Sequence, residues 1–167
     1  FSDFLSFSLS FGSQGPALPK LPKDYAVYVT DTLDSSVGVF DFNTHLLLDY
    51  IPFRQPNSVQ VSQDNQAIYI SEIYGFFAIN VQHDLIFSVP TDDQGKIVLS
   101  PDGRFAYVTE QSGNCLRVVD LKAESTLDTI EVGNQPIALD ITPDGKKLYV
   151  SNFISSDLTV VDVEQGQ

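Results

Sequence analysis

The stretch that decides the fold is SPDGRFAYVTE at residues 100–110, followed by LRVVDL at residues 116–121. A Pro-Asp-Gly turn precedes a short run of aromatic and β-branched residues, which is the chemistry of a tight turn leading into a strand. The spacing predicts strands at residues 96–99, 105–109, 116–121 and 126–132. No part of the chain has the 3.6-residue periodicity of an amphipathic helix.

The same pattern recurs in three other windows, which begin at residues 21, 62 and 142. The tyrosines of the four windows are spaced by 41, 38 and 42 residues: Tyr28, Tyr69, Tyr107 and Tyr149. A polar residue that follows each later apolar run keeps a similar period: Asp41, Asn80, Asp120 and Asp162. A repeated four-stranded unit of about 40 residues is the blade of a β-propeller.

We therefore predict an all-β fold, a β-propeller of about four four-stranded blades. The predicted blades are residues 21–53, 54–92, 93–133 and 134–167, and residues 1–20 are predicted to form a strand arm and a Pro-rich linker. The alternatives that stay open are a small closed ring, a ring or filament completed by another chain, and a piece of a longer propeller.

The N-terminal arm is predicted from strict alternation. Leu5, Phe7, Leu9 and Phe11 alternate with serines, which is typical of a strand with one apolar face. The fourth unit stops where its outer strand would begin, so we expect the arm to complete an open blade edge, that of residues 157–163, in its own or a neighbouring subunit. The chain starts with Phe1 and contains no Met, so we expect that residues upstream were removed.

The last two repeats resemble a known family. YVSN at residues 149–152 follows the turn PDGK at 143–146, and TIEVGNQP at 129–136 joins two units, as in YVTN-type β-propeller repeats. The resemblance covers residues 21–167 and weakens toward the first repeat. It implies seven-bladed rings of periplasmic or surface proteins, some of which are lactonases or carry the cofactors of dehydrogenases and reductases.

Composition narrows the function classes. The net charge is −13, which disfavours binding to nucleic acid or to anionic lipid heads. No apolar run is long enough to insert into a membrane as a helix. One cysteine excludes an internal disulfide framework and a thiolate zinc site. The acidic, cysteine-poor composition favours an extracellular or cell-surface location, with the periplasm as the alternative.

Equivalent polar residues end the second strand of each unit, and they are the weak candidates for a metal site. Asp31, Glu72 and Glu110 could hold a hard cation such as calcium around the ring axis. The competing and favoured interpretation is that each side chain bonds its own turn. Asn152 takes the fourth of these positions.

Other reactive residues are interpreted as structural. The polar residues that end each third strand recur in every repeat, which indicates turn capping rather than catalysis. His45 and His83 fall in loops of different blades without a third ligand, and Cys115 has only Arg117 as a nearby cation. We assign no catalytic residue and no cofactor.

The segment YGFF, with Tyr74, Phe76 and Phe77, replaces the polar loop of the other repeats. It is interpreted as blade packing by default, or as an exposed patch for a partner. The sequence thus predicts a non-enzymatic extracytoplasmic module for self-association or binding of another protein through strand-edge pairing. The alternatives are a fragment of a seven-bladed lactonase-like or oxidoreductase enzyme, and a recognition platform for a peptide or glycan that uses loop aromatics such as Tyr74 and Phe153.

Overall fold

The computed structural model of the chain describes residues 26–93 and 95–164 together with the backbone of residues 10–11. These residues form strands and turns and contain no helix, so the prediction of an all-β fold is confirmed. The first two blades contain β1 (Ser10–Phe11), β2 (Ala26–Asp31), β3 (Ser36–Asp41), β4 (Leu47–Pro52), β5 (Ser58–Val61), β6 (Ala67–Glu72), β7 (Gly75–Asn80) and β8 (Leu85–Pro90). The last two contain β9 (Ile97–Leu99), β10 (Phe105–Glu110), β11 (Cys115–Asp120), β12 (Ser125–Glu131), β13 (Pro136–Ile141), β14 (Lys147–Asn152) and β15 (Asp157–Asp162).

Each sheet is an antiparallel meander in which every strand pairs with its neighbours in the chain. In the first three blades the ladder between the third and fourth strands shifts register at one equivalent place, after Val39, Ala78 and Val118. Such a bulge bends the outer strand and increases its twist. The described part of the fourth blade has three strands, and β15 pairs there only with β14.

In the second, third and fourth blades the turns between first and second strands follow one scheme. A residue in the left-handed region closes each turn, with φ of 57° at Asn65, 70° at Gly103 and 72° at Gly145. Asparagine tolerates this region, so it replaces the glycine of the other repeats. In the third blade the Ser100 hydroxyl donates to Asp102 and accepts from the Phe105 amide. These short-range bonds explain why the Pro-Asp-Gly pattern predicts the turn.

The polar residues at the ends of the third strands cap the turns that follow. Asp120 accepts from the amides of Lys122 and Ala123, both at 2.9 Å. These bonds hold the pKa of Asp120 below its usual range. Equivalent bonds from turn amides are made at the three related positions, Asp41, Asn80 and Asp162. The predicted capping role is confirmed.

The core lies between blades rather than within any one of them. The Tyr of the second strand and two residues of the third strand pack against aliphatic side chains of the following blade. Between the third and fourth blades these are Tyr107, Leu116 and Val118, which contact a set formed by Leu148, Val150 and Val161. Each interface therefore has a face that carries the Tyr and a face that receives it.

The first blade corrects one expectation about the N-terminal arm. Ser10 pairs with Tyr28 and Phe11 with Val27, so these two residues take the innermost position of the first sheet. Their expected pairing with residues 157–163 of the same chain is wrong, because β2 itself offers an inner edge that needs a partner. Leu5, Phe7 and Leu9 lie outside the described residues, and their pairing stays a prediction.

Among the described residues, no helix is long and apolar enough to cross a membrane.

Candidate functional site

The turns between second and third strands and the connections between blades lie on one side of the fold, here called the loop face. Their contacts show this directly. The Asp93 carboxylate, in the connection between the second and third blades, accepts from the amides of Gln111 and Ser112 in the third blade's turn. In the same way the Thr32 hydroxyl donates to the carbonyl of Pro56 at 2.8 Å. The loop face therefore brings the turns of the blades into contact with the connections between blades.

The weak metal candidates lie on this face, each engaged with different groups. Asp31 accepts from the amides of Leu33 and Asp34 in its own turn, at 3.1 and 3.0 Å. Glu72 accepts from the Arg54 amide at 2.7 Å. In the described part of the chain no three His, Cys, Asp or Glu side chains lie close enough to hold one metal ion. The structure thus does not bring Asp31, Glu72 and Glu110 together. Of the three, only Asp31 accepts hydrogen bonds from its own turn, as the favoured interpretation predicts.

In the third blade the equivalent position forms a buried ion pair. Glu110 is 1% exposed, and its Oε1 lies 2.5 Å from Nε of Arg117. The other oxygen, Oε2, accepts from the Cys115 thiol at 3.5 Å. Burial, with the adjacent Glu110 carboxylate second, raises the pKa of Cys115 to about 11. The thiol is therefore protonated near neutral pH and is not an activated nucleophile.

In the fourth blade the same two positions hold a neutral pair. The Asn152 amide donates to Thr159 Oγ1 and to Asp157 Oδ1, each at 2.8 Å. A methyl group added at Gly133 would lie 2.5 Å from Asn152 Nδ2, so the space between Gly133 and the Asn152 side chain is filled. Both blades therefore place a polar partner, Arg117 or Thr159, opposite the residue that ends the second strand.

The second blade breaks this rule, because Phe77 takes the place of Arg117 and Thr159. Its ring meets Phe53 edge to face, with centroids 5.5 Å apart. Beside the two rings an open cleft of about 440 Å³ remains between the first and second blades, here called the aromatic cleft. Its lining residues come from both blades: Ser35, Pro52, Phe53, Arg54, Glu72 and Phe77.

The YGFF residues thus have three different environments. Phe76 is fully buried and stacks on Tyr69 with centroids 5.7 Å apart, so it belongs to the blade core rather than to a surface for a partner. Phe77 lines the aromatic cleft, and Tyr74 is 62% exposed at the tip of its turn. Phe153 occupies an exposed turn of the fourth blade. A recognition role for Tyr74 and Phe153 stays a prediction.

The histidines occupy turns between third and fourth strands. His45 and His83 have φ of 58° and 69°, and Glu124 takes the related position of the third blade with φ of 58°. His83 Nδ1 lies 3.8 Å from Asp49 Oδ2, while its buried Nε2 has no hydrogen-bond partner among the described residues. Burial lowers the pKa of His83 despite nearby Asp49 and Asp84. Both positions are explained by turn geometry.

The fourth blade carries an apolar face that no described blade covers, here called the fourth-blade face: Tyr149, Leu158 and Val160. Tyr149 is 40% exposed, whereas the equivalent tyrosines of the first three blades are 3–7% exposed. Leu158 is 57% exposed against 0% for Leu116, and Val160 is 45% exposed against 6% for Val118. In the first three blades the residues at these positions pack on the following blade. In the fourth blade no described residues cover them.

The first blade has the reciprocal surface. Its Val27, Val29 and Phe40 occupy the positions that receive the Tyr side in later blades, and all three are only half-buried. The equivalent residues of the fourth blade, Leu148, Val150 and Val161, are at most 1% exposed. Sequence reasoning missed both surfaces and the residues Phe53 and Arg54 of the cleft. An alignment of the repeats would have shown Phe77 opposite Glu72.

Repeated four-stranded sheets that pack face to face, with turns and blade connections on one face, define a β-propeller. The family model described as "Lactonase, 7-bladed beta-propeller" matches residues 20–167, so the chain belongs to this family. The predicted propeller fold is thereby confirmed, while the narrower YVTN-type assignment stays a prediction.

Two curated proteins and one solved structure illustrate the similarity. Antigen Lp49 of Leptospira interrogans serogroup Icterohaemorrhagiae serovar copenhageni (strain Fiocruz L1-130) is 28% identical over 148 residues, which cover 74% of this chain and 31% of the antigen. Uncharacterized protein YwhL of Bacillus subtilis (strain 168) is 28% identical over 153 residues, which cover 87% of this chain and 32% of that protein. The chain spans about a third of the length of these relatives.

The solved structure is the Kuenenia stuttgartiensis hydrazine synthase. It superposes with a TM-score of 0.82 at 21% identity, over 99% of this chain and 48% of that one. At this identity the likeness shows the fold alone.

Proposed function

We propose that this chain is a non-enzymatic, extracytoplasmic assembly module that binds a second copy of itself, blade to blade. The observation that carries the proposal is the fourth-blade face. Its Tyr, Leu and Val repeat the residues that are buried at the other blade interfaces, yet they are 40–57% exposed. Apolar side chains that are buried together elsewhere in the same repeat gain free energy when a matching surface covers them.

The matching surface is the first blade of another copy. Val27, Val29 and Phe40 are its counterparts of the residues that receive Tyr107, Leu116 and Val118 within the chain. Because the two surfaces lie on different blades, the contact is head to tail, and repetition closes a ring or extends a filament. Ser10 and Phe11 pair with β2 in the first sheet, while the pairing of Leu5, Phe7 and Leu9 with a blade edge of another subunit stays a prediction beside this blade contact.

The extracytoplasmic location is supported by two observations. One relative is named an antigen, and the YVTN-type resemblance implies periplasmic or surface proteins. The family name favours the alternative, a lactonase-like enzyme. The third and fourth blades support the non-enzymatic role, because the Glu110 carboxylate and Asn152 Nδ2 are committed to bonds within the chain.

The test is the mass of the 167-residue chain by multi-angle light scattering over a range of concentrations. Wild type is expected to form dimers or larger species, and Leu158→Asp is expected to remain monomeric because it places a charge in the contact. Leu127→Asp is the matched control, since Leu127 is 60% exposed on an outer strand and should not affect assembly. A wild-type monomer at every concentration, or equal effects of the two variants, would contradict the proposal.

A further inference from the structure

The carboxylate of the aromatic cleft, Glu72, is in a different state from its counterpart in the third blade, Glu110. Glu110 has both oxygens engaged, by Arg117 and Cys115. Glu72 accepts one hydrogen bond, from the Arg54 amide to Oε2, and its Oε1 receives none from the described residues. Glu72 is only 7% exposed and lines the cleft, so an anionic acceptor remains unused in a largely desolvated place.

The cleft also contains a cation. Arg54 is exposed at the cleft, and its guanidinium lies within 4 Å of no carboxylate in the described part of the chain. Glu72 and Arg54 thus present opposite charges to one cleft without neutralising each other. The rings of Phe53 and Phe77 supply an apolar wall beside them.

We propose that the aromatic cleft binds a small zwitterion with an apolar side chain, the chemistry of a free aromatic or large aliphatic amino acid. Glu72 Oε1 accepts from the ligand's ammonium group, the Arg54 guanidinium pairs with its carboxylate, and the side chain packs on Phe53 and Phe77. A cleft of about 440 Å³ is within the size range of small-molecule sites.

The repeat explains why the carboxylate of this cleft lacks a side-chain partner. A polar residue opposite the end of the second strand bonds to Glu110 in the third blade and to Asn152 in the fourth. Phe77 cannot bond to Glu72, which leaves the carboxylate for a ligand. The cleft lies between the first and second blades, so the proposal does not depend on assembly through the fourth blade.

The test is isothermal titration calorimetry of the full chain with L-phenylalanine, for which we expect a Kd on the order of 1 mM or tighter. N-acetyl-phenylalanine lacks the ammonium and phenylalaninamide lacks the carboxylate. Each is expected to bind at least about tenfold more weakly, because each loses a charge-assisted bond. Equal binding of all three ligands, or no saturable binding of phenylalanine, would overturn the proposal.

Two variants test the residues. Glu72→Gln is expected to weaken phenylalanine binding about 10- to 100-fold, while Glu131→Gln, the same change at an exposed outer-strand site, leaves it unchanged. Phe77→Arg recreates the Glu110–Arg117 arrangement beside Glu72 and is expected to abolish binding. Unaltered affinity for phenylalanine in Glu72→Gln would refute the proposed site. If Phe77→Arg fails to fold, Glu72→Gln and the two ligand analogues still test the proposal. Retained binding by Leu158→Asp separates this result from that of the assembly proposal.

Discussion

Leu116→Ala and Leu158→Ala change the same repeat position in the third and fourth blades, and we expect very different losses of stability. Leu116 is fully buried against the fourth blade, so the truncation leaves a cavity as well as losing burial. Such a change costs about 3 kcal/mol of unfolding free energy. Leu158 is 57% exposed, so its truncation costs roughly 1 kcal/mol in the isolated chain.

Urea unfolding followed by far-ultraviolet circular dichroism at low protein concentration measures both values, provided that the denaturant slope stays constant. The reasoning also predicts a concentration effect. When copies associate, Leu158 becomes buried, and the cost of Leu158→Ala should rise with protein concentration while that of Leu116→Ala does not. Equal losses for the two variants at low concentration would refute the repeat-based account of the fourth-blade face.

Three further predictions concern groups inside the blades. Burial lowers the pKa of His83 in the folded chain, so the unfolded chain takes up this proton at a higher pH than the folded chain does. The free energy of unfolding should therefore decrease as the pH drops below about 6.5. The slope of the unfolding free energy against pH should flatten in His83→Asn, as measured by urea unfolding at several pH values. Arg117→Met should cost about 3 kcal/mol by leaving the buried Glu110 carboxylate unpaired, as measured by urea unfolding. Cys115, with its pKa near 11 instead of 9.0, should react roughly 100-fold more slowly with iodoacetamide at neutral pH than an unperturbed thiol.

Each of these predictions has a result that contradicts it. An unchanged pH slope in His83→Asn would mean that the buried imidazole does not govern acid sensitivity in that range. For the ion pair, the double variant Glu110→Gln with Arg117→Met should lose less unfolding free energy than Arg117→Met alone, because no unpaired charge is left. A larger loss in the double variant would contradict this explanation. Alkylation of Cys115 at the rate of a free cysteine would refute its protonated state.

Much of the fold could be predicted from the sequence because its local chemistry repeats. The Pro-Asp-Gly turns, the tolerance of Asn65 for the left-handed region and the caps such as Asp120 depend on bonds between residues a few positions apart. Such bonds act wherever the short motif occurs. The period of about 40 residues then leads to stacked blades.

The surfaces could not be predicted in the same way. Leu116 and Leu158 are identical residues in equivalent positions, and only the presence of a following blade makes one buried and the other exposed. Alternation indicated a strand before Phe11, but the pairing of Phe11 with Val27 depends on which edge is open in three dimensions. The aromatic cleft could be predicted in part, because an alignment of the repeats shows Phe77 at the position that Arg117 occupies in the third blade.

Blade-to-blade assembly is tested most directly by mixing two variants that damage opposite surfaces. Leu158→Asp disables the fourth-blade face and Val29→Asp disables the first blade, so each alone should sediment as a monomer. An equimolar mixture retains one undamaged pair of surfaces, and sedimentation velocity should therefore show a dimer that does not grow further. A mixture that stays monomeric, or a single variant that still associates, would contradict the account.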